Sequence, residues 1–346
     1  MRLIASLLLI LLISSCKQDV QKPVKTYNSI KIQDIYNDSI SVRAIELMGD
    51  GTLAFAADKG MYGLYFSKKE QWVTSKQLHD SVPLHFRAVA HTTNDFFMLS
   101  IESPALLYKT GDDGRMKLVY KEDGEGVFYD AMTFWNDKEG IAVGDSINGC
   151  LSIIITRDGG ETWTKLACDV LPESIEGEGA FAASNTNIKV LGDEAWVATN
   201  SGSIYYTADK GKSWVVIDTP MLNTEPNQGI FSIDFYDNKK GFAIGGDYTK
   251  PEGNTNNKMK TVDGGQTWQI VANGEAPAYK SCVQYVPNSD AQNLVAVSFN
   301  GMDVSVNGGT SWKHISDESF YTIRFVNDSL AYAAGKGRIS KIDFID

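Results

Sequence analysis

Apolar residues along this chain come in short bursts rather than long periodic faces. Runs of four to seven residues rich in Val, Ile, Phe and Tyr alternate with polar positions and are set apart by clusters of Gly, Asn and Asp. A period of two predicts strands, and the clusters between them predict tight turns. One stretch shows the unit in full: strands over residues 231–236, 242–245, 258–261 and 268–271, with a turn over 237–241 between the first two.

The turn before the last strand of that unit recurs. It reads Thr156-Arg-Asp-Gly-Gly-Glu-Thr-Trp163, Thr207-Ala-Asp-Lys-Gly-Lys-Ser-Trp214, Thr261-Val-Asp-Gly-Gly-Gln-Thr-Trp268 and Ser305-Val-Asn-Gly-Gly-Thr-Ser-Trp312. This is the Asp-box, and it resembles the bacterial neuraminidase repeat. Hydroxyl and carboxylate accept backbone hydrogen bonds inside the turn, Gly takes a conformation closed to other residues, and Trp folds back on the hairpin. Asn307 replaces the acid in the fourth copy, which a turn tolerates and a catalytic acid does not. Asp158, Asp209 and Asp263 are therefore read as structural, together with Trp163, Trp214, Trp268 and Trp312.

Two decayed copies, at residues 110–114 and 67–72, extend the series. The starts at 67, 110, 156, 207, 261 and 305 lie 43 to 54 residues apart. That interval, filled with short strands, predicts the four-stranded blades of a β-propeller rather than helical repeats. A seventh unit, with strands over 322–326, 330–334 and 338–343, lacks a fourth strand, which residues 29–35 can supply. The expectation is an all-β chain, one seven-bladed propeller over 29–346 whose ring is closed by the N-terminal strand, with six or eight blades as the neighbouring solutions. Such closure removes exposed edges.

In a propeller each innermost strand starts on the top face, and the Asp-box turns lie on the bottom. Turns over 135–140, 192–194 and 327–329 are short bottom turns, whereas the long insertions 169–178, 218–228 and 247–257 fall on top, where a rigid scaffold usually carries binding. The inner strands are expected to start at Arg43, Arg87, Asp130, Phe181, Phe231, Lys280 and Tyr321, a charged and aromatic ring at the channel mouth. Asp145, Asp247 and Tyr248 add to it from neighbouring loops. Arg43, Arg87 and Lys280 suit an anionic group such as a peptide carboxylate or sugar acid. Ion pairing with Asp130 is the plain alternative, as is turn capping for Asp145 and Asp247.

Composition adds an address and removes some chemistry. Arg2, an apolar run over 3–13 and Ser14-Ser15-Cys16 predict a signal peptide over 1–15, cut ahead of a lipid-modified Cys16, with 16–28 as a tether. The expected location is the bacterial cell envelope, at the outer membrane, with membrane contact through the anchor only. The net charge is −11, from 32 Lys and Arg against 43 Asp and Glu, which argues against a nucleic-acid partner. Export permits a disulfide. If 150–156 and 162–168 are strands centred on Gly159, Cys150 and Cys168 face each other and can bridge, whereas a one-residue bulge breaks the pairing. Cys282 is expected to be a buried apolar residue. His79, His85, His91 and His314 show no ligand spacing, so no metal and no cofactor is expected.

The pattern resembles sialidases and related glycosidases, sortilin-type receptors, and the photosystem II assembly-factor propellers. Phe128-Tyr-Asp-Ala-Met132, Gly140-Ile-Ala-Val-Gly-Asp145, Gly177-Glu-Gly-Ala-Phe-Ala-Ala-Ser184, Gly229-Ile-Phe-Ser-Ile233 and Gly245-Gly-Asp-Tyr-Thr-Lys-Pro-Glu252 resemble a bacterial group in that last lineage, sometimes labelled oxidoreductase. The resemblance implies an exported, lipoprotein-type propeller with no catalytic residue to carry over. No Gly-x-Gly-x-x-Gly, Cys-x-x-Cys or haem motif supports the oxidoreductase label. Sialidase chemistry fails too: His85-Phe-Arg-Ala-Val89 lacks Ile-Pro, and the six arginines after Cys16 (Arg43, Arg87, Arg115, Arg157, Arg324 and Arg338) offer no ready triad. The expected function is a monomeric, non-catalytic binding or assembly scaffold whose top face takes a protein segment or a small anionic or glycan ligand. A glycoside hydrolase using two of Asp130, Asp145, Glu178 and Asp247 is the enzymatic alternative.

Overall fold

The computed structural model describes residues 25–111 and 114–346; the expected signal peptide, Cys16 and most of the tether lie outside them. Seven four-stranded antiparallel sheets form a ring. Blades 1 to 6 occupy residues 44–76, 86–122, 129–165, 188–218, 228–270 and 282–316. Blade 7 takes three strands from 322–345 and its outermost from Ser29–Ser41, which pairs antiparallel with Lys336–Ile345. The ring therefore closes with both ends of the described chain, as the alternation over 29–35 predicts. Packing reaches upstream of that strand: Tyr27 is buried against Phe344, 5.2 Å between ring centroids.

Each blade hides small and branched residues between itself and the next, in clusters that run round the ring. The Asp-boxes set these seams. In the third blade Thr156 Oγ1 accepts the Gly160 amide at 2.9 Å, while Asp158 accepts the Thr162 amide at 3.0 Å and its hydroxyl at 2.6 Å. The Gly159 amide donates to Lys138 O at 2.9 Å, tying the box to the first turn of its own blade. Gly160 has φ +80°, and a Cβ there would lie 2.3 Å from Phe97 of the preceding blade; at Gly309 (φ +79°) the corresponding distance, to Phe242, is 2.0 Å. The glycine is thus where one blade docks on the last. Trp214, Trp268 and Trp312 each donate Nε1 to the carbonyl of that glycine. In the fourth box Asn307 keeps the turn by reversing one bond: its amide donates to Ser311 Oγ at 2.8 Å where an acid would accept.

Two local expectations are corrected. Cys150 and Cys168 are joined, Cα to Cα 5.5 Å, but not across a ladder. Ile154 lies opposite Lys165, a register that would set Cys168 opposite Leu151 and turn the two thiols to opposite faces. The outer strand stops at Lys165, and a 3-10 turn over Cys168–Val170 brings the sulfur back. The second correction is larger. Blade 4 does not start at Phe181; its inner strand is Ile188–Leu191, and the residues before it enter the central channel.

Candidate functional site

The channel is filled by its own chain. Ser184 Oγ donates to Ser281 O at 2.7 Å, Asn185 Nδ2 to Val89 O at 2.8 Å, and Asn185 Oδ1 accepts the Met132 amide at 3.0 Å. Thr322 Oγ1 donates to Ser184 O at 3.0 Å, and Thr186 Oγ1 shares a 2.7 Å hydrogen bond with Ser232 Oγ. This small polar segment satisfies channel-facing groups that apolar residues would leave unpaired. It divides the channel into an upper cavity of about 460 Å³ and a lower one of about 520 Å³.

The upper cavity lies at the mouth marked out from the sequence. Arg43, Arg87, Asp145, Phe181, Phe231, Tyr248 and Tyr321 line it. Phe181 and Phe231 stack at 3.6 Å, Tyr279 meets Phe231 edge-on at 4.9 Å, and Phe299 packs on Tyr279 at 5.4 Å. Tyr248 and Phe299 remain 45% and 40% exposed, so the wall has an apolar rim open to solvent. Opposite the wall, the Arg43 guanidinium sits 4.1 Å above the Tyr321 ring. Its Nη1 reaches Ala183 O only at 3.5 Å, and its buried Nε has no partner. Arg87 reaches Ala182 O at 3.5 Å and donates Nε to His85 Nε2 at 3.3 Å. Burial and the neighbouring Arg43 both press the Arg87 pKa downward, and burial with Arg87 does the same to His85. Two guanidiniums held side by side with long hydrogen bonds are an unsatisfied positive site.

The other expected residues are elsewhere. Lys280 is 2% exposed and ion-paired with Asp303 at 2.8 Å. Ser281, one residue on, faces the cavity instead, because successive side chains of an extended segment point to opposite sides. Asp247 is buried and caps its own turn, accepting the Thr249 amide at 2.8 Å and hydroxyl at 2.6 Å. Glu178 is buried under the hydroxyls of Thr199, Ser201 and Tyr205 at 2.8, 2.6 and 2.9 Å. Asp130 is fully buried, and neither of its oxygens meets a well-aligned donor. What faces it is the Asp145 carboxyl, the Ala180 amide and Arg87.

Burial, with the Asp145 charge second, raises the Asp130 pKa well above the ordinary range, and burial pushes Asp145 up to about 6. Two carboxyls in hydrogen-bond contact share a proton. Asp145 is seated against Gly179, where a Cβ would come 1.8 Å from its Oδ1. Hydrolysis of a glycoside needs two carboxyls about 5 to 9 Å apart with a sugar between them. Asp130 is fully buried and faces Asp145 rather than an open cleft, and Glu178 and Asp247 are tied up. Among the described residues no group of three or more His, Cys, Asp and Glu is placed to hold a metal.

Sequence reasoning missed Tyr279, Phe299, Phe128 and Ser281. Phe299 had a signal: an aromatic next to Asn300-Gly301 in a top loop has no core to fill.

The sortilin (Vps10, neurotensin receptor 3) family model matches residues 151–303. No curated protein matches the chain in sequence. Among solved structures, YCF48 bound to a D1 peptide superposes with TM-score 0.64 at 12% identity, covering 94% of this chain and 99% of that one. YCF48 from Cyanidioschyzon merolae gives 0.65 at 12%, covering 91% and 99%. The GH74 enzyme of Niastella koreensis gives 0.57 at 14%; 88% of this chain covers 43% of that one. At such identities the likeness shows the propeller fold alone.

Proposed function

We propose that this propeller is an exported, lipid-anchored scaffold that captures a protein segment in the upper cavity without chemical turnover. One observation carries the reading. Arg43 and Arg87 make only long hydrogen bonds beside an aromatic wall, while Glu178 and Asp247 are hydrogen-bonded to their own surroundings and Asp130 is buried against Asp145. An apolar wall facing a cationic one suits a segment with an apolar side chain and a nearby carboxylate. That a similarly shaped propeller has been solved with a peptide bound agrees with this reading. The test is pull-down from cell-envelope extract with wild type and with Arg43→Glu/Arg87→Glu. The double variant should melt normally and lose the captured band; an unchanged band profile overturns the proposal.

Asp145, on the cavity wall with its pKa near 6, supports the glycoside hydrolase as the second reading. Turnover on a glycan panel that Asp145→Asn abolishes would move the assignment there.

A further inference from the structure

The loop over 169–176 forms a lip beside the upper cavity and is fastened along its length. Cys168 is bonded to Cys150, Leu171 is buried in the seam between blades 3 and 4, and the buried Ser174 donates its amide to Gly149 O at 2.8 Å. The next turn is closed twice: the Ile175 amide donates to Glu178 Oε2 and the Glu178 amide to Ile175 O, both at 3.1 Å. Between these fixed points Val170 and Ile175 stand 48% and 63% exposed, next to the exposed carboxylates of Asp169, Glu173 and Glu176. A lone exposed valine or isoleucine is ordinary on a surface, but here the fastening holds two of them out in water where a loose loop could fold them away. Gly177, one residue beyond Glu176, already lines the upper cavity.

The charge of the lip continues around the mouth. Glu102, Glu125, Glu225, Glu252 and Glu275 are exposed in the other connections on the top face, and among the described residues the exposed bases of those connections are Lys59 and Lys250. None of these acids, nor those of the lip, has a salt-bridge partner among the described residues. The mouth is thus cationic in the cavity, where Arg43 and Arg87 lie, and anionic at its rim. A segment carrying one sign of charge gains from one of these and is repelled by the other. We propose that the lip is the outer half of the capture site and that the segment it takes is dipolar: a carboxylate and an apolar side chain enter the upper cavity, while a Lys or Arg within a few residues, beside a second apolar side chain, rests on Ile175 and the rim acids. This rests on the capture reading above; what is added is the chemistry of the part of the segment that stays outside the cavity.

In the test the full chain is immobilised and offered a random synthetic peptide library with free C-termini, and the retained peptides are sequenced by mass spectrometry. Wild type should enrich Lys and Arg several-fold over the input in about 0.1 M NaCl and lose that enrichment in about 1 M, where the screening length falls from about 10 Å to about 3 Å. Glu173→Lys/Glu176→Lys, at two exposed positions, should melt like wild type, abolish the Lys/Arg enrichment and still retain peptides; Ile175→Ser should retain several-fold less. Peptides retained without a Lys/Arg preference, or with one that the lip variants leave unchanged, overturn the lip and leave capture by Arg43 and Arg87 standing. No retained peptide, or retention that Arg43→Glu/Arg87→Glu leaves unaltered, overturns the capture reading and this inference with it. A chain that sediments alone as a dimer, parted by Ile175→Ser, assigns the lip to a second copy and overturns the proposal.

Discussion

The two mouths of the channel are made from opposite ends of the same inner strands, yet they treat charge in opposite ways. At the lower mouth Lys189 pairs with Asp234 at 2.7 Å, and Asp234 also accepts the Tyr285 amide at 2.8 Å. Glu46 lies 3.4 Å from His91 and 3.6 Å from Arg324, whose guanidinium further donates to Thr322 Oγ1 and Ile323 O, both at 2.9 Å. Every charge there has a counter-charge. At the upper mouth Arg43 and Arg87 crowd each other at the end of long bonds, and the nearest acids share a proton and so carry less negative charge than their number suggests. A cavity of similar size is thus neutralised below and left electrically unfinished above. What marks a binding face here is unpaired charge beside exposed aromatics, since volume alone would rank the two ends equal.

Substitutions can break that contrast, and the lower mouth should respond most in stability. Asp234→Ala strands Lys189 and the Tyr285 amide, and should cost about 2–4 kcal/mol in urea unfolding, with capture at the upper mouth intact. Arg43→Ala with Arg87→Ala should do the reverse, abolishing capture while costing less than about 1 kcal/mol. A cost as large as that of Asp234→Ala would mean that the arginines are structural and that the two mouths do not differ in kind.

The acid pair gives a pH signature. Folding raises both carboxyl pKa values, so between pH about 6 and the ordinary aspartate value near 4 the folded protein holds more protons than the unfolded chain. Stability should therefore increase as pH falls through that window; the Asp145 contribution is lost as pH rises through about 6, and that of Asp130 as pH rises through its own raised pKa. The Asp-box acids act with opposite sign at lower pH. Burial acts upward on Asp209, but the Ser213 hydroxyl and amide outweigh it and hold the pKa to about 2, so its contribution disappears as pH falls below about 4 toward 2. Asp130→Asn should flatten the rise from pH 6 to 4 in thermal melts and raise stability at pH 7.5. An unaltered profile would show that the pair shares no proton. The smallest effect is expected at the bottom turns: Asn307→Asp should change stability by less than about 0.5 kcal/mol, because the amide already makes the turn's bonds, and a larger shift would assign the fourth box a role beyond its turn.

The sequence by itself determined the blades. Alternation with a period of two, Asp-boxes 43 to 54 residues apart and a spare strand at residues 29–35 leave little choice, because turn chemistry and in-out alternation are local properties that survive in any register of the ring. Arg43, Arg87 and Tyr321 were legible for the same reason: each lies within one residue of the start of an inner strand, and strand starts have a fixed face, whereas Phe231 reaches the mouth from inside Gln228–Phe235, whose strand begins three residues earlier. Local rules then stop. Nothing in the alternation separates a strand from a small polar segment that will thread the channel, so Phe181 was placed in a strand although Ser184-Asn185-Thr186-Asn187 is a poor core edge. A slip of one residue sends Lys280 to Asp303 and leaves Ser281 at the mouth. Asp130 looked like a ligand contact until the neighbouring loop closed Asp145 over it. Which charges end up paired depends on what arrives from other blades, sometimes more than a hundred residues away in the chain. Only the closed ring brings those partners together, and it is their presence below and absence above that gives the molecule a working face.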